Sequence, residues 1–176
     1  QENIKDTALA LADAALMGAR GNSGIIFAQF LYGFSKDIKD SPTMTIAEFA
    51  ECVRSGSECA YYALANPKEG TMISVIKDWA NNIYETKEDT DDFTTLLLGA
   101  LTVAMESLKQ TGKFIAAKAK TIVDAGAKGF AVFLEGMCEY FNSGEKSVQI
   151  AEAEIVDSEW LGGINHEIIT FRYCTE

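Results

Sequence analysis

The sequence predicts an all-α protein, an antiparallel helical bundle followed by a linker and one short β-strand. Three observations carry that expectation. Seven segments repeat apolar residues at helical spacing. Capping and breaking residues fall at the ends of those segments. Only two of the 176 residues are proline, while 48% are hydrophobic, a composition of packed helices rather than of a disordered chain.

The first helix is expected from Ile4 to Met17, with Ala8, Leu11, Ala12, Ala15 and Leu16 on one stripe, ended by Gly18. Asn22 or Ser23 is placed to cap a second helix carrying Ile26, Phe30 and Phe34 to about Ile38. After a polar stretch with Pro42, Thr45-Ile-Ala-Glu48 has the spacing of a capping box. The third helix then carries Ile46, Phe49, Ala50, Val53, Ala60, Tyr61 and Leu64, and should stop near Asn66 because Pro67 disfavours a helical residue before it. Thr71 is placed to cap a fourth helix with Met72, Val75, Ile76, Trp79 and Ile83 inward. Tyr61, Tyr62 and Trp79 read as core or half-core rather than as a stacking platform.

The acidic run Glu88-Asp-Thr-Asp-Asp92 reads as a solvated connection that favours a helix start. The fifth helix shows Phe93, Leu96, Leu97, Ala100, Leu101, Ala104 and Leu108, with Gly112 expected to break it. A short sixth helix is expected at 114–120, and a seventh carrying Phe130, Phe133, Leu134, Met137 and Phe141. The composition turns polar and glycine-dotted over 143–166, expected as a linker. Residues 167–174 are rich in β-branched and aromatic types and read as a strand, so 167–176 is expected to begin a second domain after the helical domain 1–142.

Charge and cysteine content exclude several functions. The net charge is −11 and the pI is near 4.6, which argues against nucleic acid as a partner. A phosphorylated ligand stays open, because backbone amides at helix starts supply positive potential. No apolar run is long enough for a transmembrane segment. The N-terminus has neither a signal-peptide pattern nor an initiating Met, and the chain is expected to be a piece of a longer protein. Cys52, Cys59, Cys138 and Cys174 form no CxxC pair, and with one histidine, His166, they read as reduced thiols of a cytoplasmic protein.

Three loops stand apart: Gly18-Ala-Arg-Gly-Asn-Ser-Gly24, Pro67-Lys-Glu-Gly-Thr-Met72 and Asp124-Ala-Gly-Ala-Lys-Gly129. Each offers small or hydroxylated residues at a helix start, where amides attract anions. Taken singly, each reads as an ordinary turn between helices, since none is a Walker loop or a GxGxxG. Arg20 suits either a charge facing a phosphoryl group or a partner for a carboxylate at the helix junction.

Together, Leu16-Met-Gly-Ala-Arg-Gly-Asn-Ser-Gly-Ile25, Pro67-Lys-Glu-Gly-Thr-Met72 and Val123-Asp-Ala-Gly-Ala-Lys-Gly129 resemble the DhaL-like nucleotide-binding domain of dihydroxyacetone kinases and bacterial fatty-acid kinases. Arg172 to Glu176 also resembles the start of the middle domain of the fatty-acid branch. The resemblance implies a bundle that closes around ATP or ADP and an enzyme that passes the γ-phosphoryl group to a fatty acid or a dihydroxyacetone-like acceptor. It implies that Gly21, Asn22, Ser23 and Gly24 hold phosphates, that Thr71 and Met72 lie beside phosphate and adenine, and that Asp124, Ala125 and Gly126 border the nucleotide. A DegV-like fatty-acid-binding protein is the implied partner.

Two departures from the family pattern follow. Ala127 stands where the fatty-acid branch commonly has a second glycine, and is expected to crowd the ligand. The Asp-Gly-Asp-Thr-Gly segment that holds Mg2+ in the family is absent between Gln1 and Glu176. Asp89, Asp91 and Asp92 are a poor replacement, because no glycine turn adjoins them. This chain by itself is therefore expected to be inactive and to hold no metal, with an exposed apolar seam that favours self-association or a partner. The competing expectation is a non-catalytic helical interaction module.

Overall fold

The computed structural model describes residues 3–115 and 123–143. Six helices occupy them: α1 (Ile4–Gly18), α2 (Gly21–Lys36), α3 (Ile46–Tyr62), α4 (Met72–Thr86), α5 (Phe93–Ile115) and α6 (Ala125–Ser143). The fold is all-α, and there is no strand among the described residues. The expected linker at 143–166 (beyond Ser143) and the expected strand at 167–174 lie outside them, as do residues 116–120 of the expected short helix and His166 and Cys174.

Each helix packs on its neighbour in sequence, from α1 against α2 through to α5 against α6, and α6 also packs on α4. Short connections between packed neighbours make an antiparallel bundle. Local chemistry explains most boundaries. Asn3 caps α1 by accepting the Lys5 N–H at 2.9 Å. The capping box of α3 is complete: Thr45 Oγ1 accepts the Glu48 N–H at 3.2 Å, and Glu48 Oε2 accepts the Thr45 N–H at 3.0 Å. Asp92 opens α5 by accepting the Thr95 N–H at 2.8 Å and its hydroxyl at 2.6 Å, which holds the Asp92 carboxyl below the usual carboxylate range. The acidic run thus serves a helix start, and no group of three metal-ligating side chains occurs among the described residues.

Aromatic side chains fill the centre. Phe30 of α2, Trp79 of α4 and Phe130 of α6 lie with ring centroids 5.8–6.0 Å apart, and Phe27 joins them at 6.2 Å from Phe130. Rings at these separations meet edge to face or tilted, which adds to the apolar burial itself. Because the three helices share this cluster, their positions are fixed relative to one another.

Five expectations need correction. The helix expected to break at Gly112 continues to Ile115. A mid-helix glycine costs only about 1 kcal/mol, and buried Leu108 and Thr111 hold the last turns in place. Helix α2 starts at Gly21 with Arg20 in the cap position, so Asn22 and Ser23 lie in its first turn instead of capping it; the helix stops at Lys36. Helix α3 ends at Tyr62, four residues before Asn66. Of the α1 stripe only Ala12 is buried, and Leu11 and Leu16 remain exposed because α1 packs chiefly against α2 among the described helices. Tyr62 is 79% exposed and Tyr61 is exposed as well, whereas Trp79 is in the core as expected.

Candidate functional site

The first loop is built by an unusual backbone. Gly21 has φ of 64°, a conformation costly for any residue with a side chain, and it turns the chain directly from α1 into α2. The cap position is taken by Arg20, which offers no side-chain hydrogen bond to the amides of the first turn. The start of α2 therefore keeps unsatisfied N–H groups and the positive end of the helix dipole.

The starts of α4 and α6 are different, because one carboxylate satisfies both. Asp124 Oδ1 accepts the Met72 N–H at 3.1 Å and the Ala127 N–H at 2.8 Å. Thr71 occupies the cap position of α4, but its hydroxyl donates to the Lys68 carbonyl at 2.8 Å and caps nothing. The second loop also needs its glycine, since Gly70 has φ of 76°. The third loop presses on the first: a Cβ at Gly126 would collide with the Ser23 hydroxyl and come within 3.0 Å of Ser23 Cβ.

The three loops, far apart in sequence, thus meet at one end of the bundle. They border two adjoining cavities that share Ser23 and Met72. One, of about 440 Å3, is apolar, with Phe27, Phe130 and Phe133 as its aromatic walls and Gly24, Ala125, Gly126 and Gly129 as its backbone edge. The other, of about 340 Å3, is the more polar of the two and is bordered by Asn22, Lys68, Thr71 and Asp124 as well as by Ile26 and Leu64. Eight of the nine residues singled out in the three loops line one cavity or the other; Gly21 lines neither and shapes the turn instead.

Arg20 and Ala127 lie elsewhere. Among the described residues the Arg20 guanidinium donates to the carbonyls of Ala19 at 2.9 Å and Met17 at 3.3 Å, main-chain groups at the end of α1, and it lines neither cavity. Ala127 is fully buried in the core and borders neither cavity, so it does not crowd the site. Lys68, in the same loop as Thr71, is the basic side chain at the polar cavity among the described residues. Phe130 and Phe133 were legible only as apolar positions of a helix, and Phe27 lies outside the expected apolar stripe of its helix. Their place one or two turns after a glycine loop was the signal that they also face the site.

Magnesium does not fit these residues. Asp124 is the one acid lining either cavity among the described residues, and its Oδ1 is already committed to two amides. A hard divalent cation needs several oxygen ligands free to turn toward it.

Fold and site together define the class: a helical bundle domain with glycine-rich helix starts gathered around a two-part cleft. The chain belongs to the DAK2 domain family, whose model matches residues 1–139; this is a family of nucleotide-binding domains found in dihydroxyacetone and fatty-acid kinases. Three similar proteins, each described only as uncharacterized, come from Staphylococcus epidermidis, Staphylococcus saprophyticus and Staphylococcus aureus. They are 33%, 34% and 35% identical over 99% of this chain. The chain spans about a third of their length, 33% in each case. No described helix is long and apolar enough to cross a membrane.

Proposed function

We propose that this chain is the ATP-binding part of a kinase that transfers the γ-phosphoryl group to a fatty acid or a dihydroxyacetone-like acceptor. The observation that supports it best is the start of α2. Its amides lack a side-chain cap, and Asn22, Ser23 and Gly24 bring them to the junction of a polar and an apolar cavity. Phosphates of ATP or ADP belong at that helix start, with Lys68 and the Thr71 hydroxyl beside them, because free amides and the dipole favour anions there. The base belongs between Phe27, Phe133 and Met72, where a flat apolar ring stacks well. Asp124 and Ala125 border the nucleotide while Asp124 keeps α4 and α6 in place. Since the described residues do not suit magnesium, this chain's share of the reaction is to hold and orient the nucleotide.

The remaining chemistry, the acceptor and a DegV-like partner that presents a lipid belong to the whole protein. In this reading residues 143–166 link the helical domain to a second domain that begins at 167–176, and the protein works in the cytoplasm, where ATP is available. Titration calorimetry with ADP tests the proposal. Saturable binding that weakens by about tenfold or more in Asn22→Asp, which sets a negative charge among the amides, supports it. Absence of binding at millimolar ADP overturns it.

A second reading, a non-catalytic interaction module, draws on the exposed apolar side chains Met17, at 83%, and Tyr62. Exposed apolar side chains mark a contact surface where they gather into a patch. ADP binding separates the two.

A further inference from the structure

We infer that Thr111 is a positioning residue of this site: its buried hydroxyl sets Asp124 and, through Asp124, the two helix starts that flank the cavities. The inference rests on the nucleotide reading above. Thr111 lies near the end of α5 and is fully buried. It lines neither of the two cavities, so any influence on a ligand there passes through another residue.

The hydroxyl makes two bonds with different roles. It donates to the Leu108 carbonyl of its own helix at 2.7 Å and accepts the Asp124 N–H at 3.0 Å. A hydroxyl has a single proton. With that proton committed to Leu108, a lone pair is left pointing at Asp124 and the direction of the second bond is set. The bond to Leu108 alone would satisfy a buried threonine. The bond to Asp124 reaches beyond α5 and fixes the turn from which the Asp124 carboxylate grips Met72 and Ala127. Fixed contacts therefore run from α5 through Thr111 and Asp124 to the starts of α4 and α6. Removing the hydroxyl leaves a part-buried N–H without its acceptor and frees Asp124 to drift, so that ligand binding must first restore the turn.

Thr111→Val keeps the shape and removes the hydroxyl; Thr111→Ser keeps the hydroxyl and removes a buried methyl. Packing alone ranks Thr111→Val as the milder change. Positioning reverses the ranking for affinity: ADP binding by calorimetry should weaken about tenfold in Thr111→Val and stay within about threefold of the original in Thr111→Ser, even where thermal melting shows Thr111→Ser to be less stable. Amide hydrogen exchange on the unsubstituted protein gives a second measurement, needed if Thr111→Val does not fold. The N–H groups of Asp124, Met72 and Ala127 should all be protected. Unchanged ADP affinity in Thr111→Val overturns the inference, as does free exchange at those three amides. If the unsubstituted protein binds no ADP at millimolar concentration, the nucleotide reading falls and the role of Thr111 falls with it.

Discussion

Ser23 fills the space in which a side chain at Gly126 would begin. The two residues come from the first and third loops, and the Ser23 hydroxyl lies where a Cβ at Gly126 would stand. The loops are in close contact, so their approach beside the apolar cavity is set by the smallest possible residue on one side and a short hydroxylated one on the other.

Gly126→Ala should destabilise the protein. Helix propensity by itself predicts a gain of up to about 1 kcal/mol, since Gly126 is in the first turn of α6. The collision with Ser23 predicts a loss of about 1–3 kcal/mol, typical of overpacking. The contact should win, and Ser23→Gly introduced alongside should recover most of the loss. A thermal melt showing Gly126→Ala to be as stable as the parent would mean that the loops part without strain.

Asp124→Ala should cost about 1–3 kcal/mol, because one oxygen serves two helix starts and both amides lose their acceptor. Asp124→Asn, which retains a carbonyl oxygen, should cost less. Urea unfolding reads this as a lower midpoint with an unchanged slope. Equal midpoints for Asp124→Ala and the parent would contradict the shared cap.

Base selectivity should be weak. Among the described residues Ser23 supplies the one polar side chain around the apolar cavity, and a site without specific hydrogen-bonding groups discriminates poorly between similar rings. ATP and GTP should bind within about tenfold of each other. A preference of a thousandfold in competition calorimetry would require base contacts that these side chains do not offer.

Glu48 should titrate well below the usual carboxylate range. Its hydrogen bond with Lys39, in an ion pair of 2.8 Å, and those with Thr45 lower its pKa from 4.5 to about 2. A carboxyl whose folded pKa lies below its unfolded value stabilises the fold above about pH 4.5, and that contribution is lost as pH falls toward about 2. Carbon-detected NMR of the Glu48 carboxyl should show the low midpoint, and Lys39→Met should raise it. A midpoint near 4.5 in the parent would rule out the pairing in solution.

The legible parts of the fold are those whose cause lies within a few residues. The capping box at Thr45 and Glu48 joins positions three apart, and the apolar faces of α4 and α5 repeat every turn. The cap of α4 was misread for the opposite reason: Thr71 has the right type and position, but the acceptor for the Met72 N–H is Asp124, 52 residues away. The three loops were individually ordinary. Resemblance singled them out together, whereas their convergence depends on helix packing that spacing does not encode. Burial of Ala127 and exposure of Leu11 are likewise decided by which helices lie alongside.

The Met72–Asp124 bond also bears on how the protein is made. A chain leaving the ribosome can form α1 through α4 from neighbouring contacts, yet α4 stays without its cap until residue 124 has emerged. Loop-closure entropy for so distant a pairing must be overcome before the contact stabilises anything. Within this helical bundle the cleft is therefore among the last features to assemble, and a nascent chain arrested before α6 has the earlier helices without the third loop that completes the cleft.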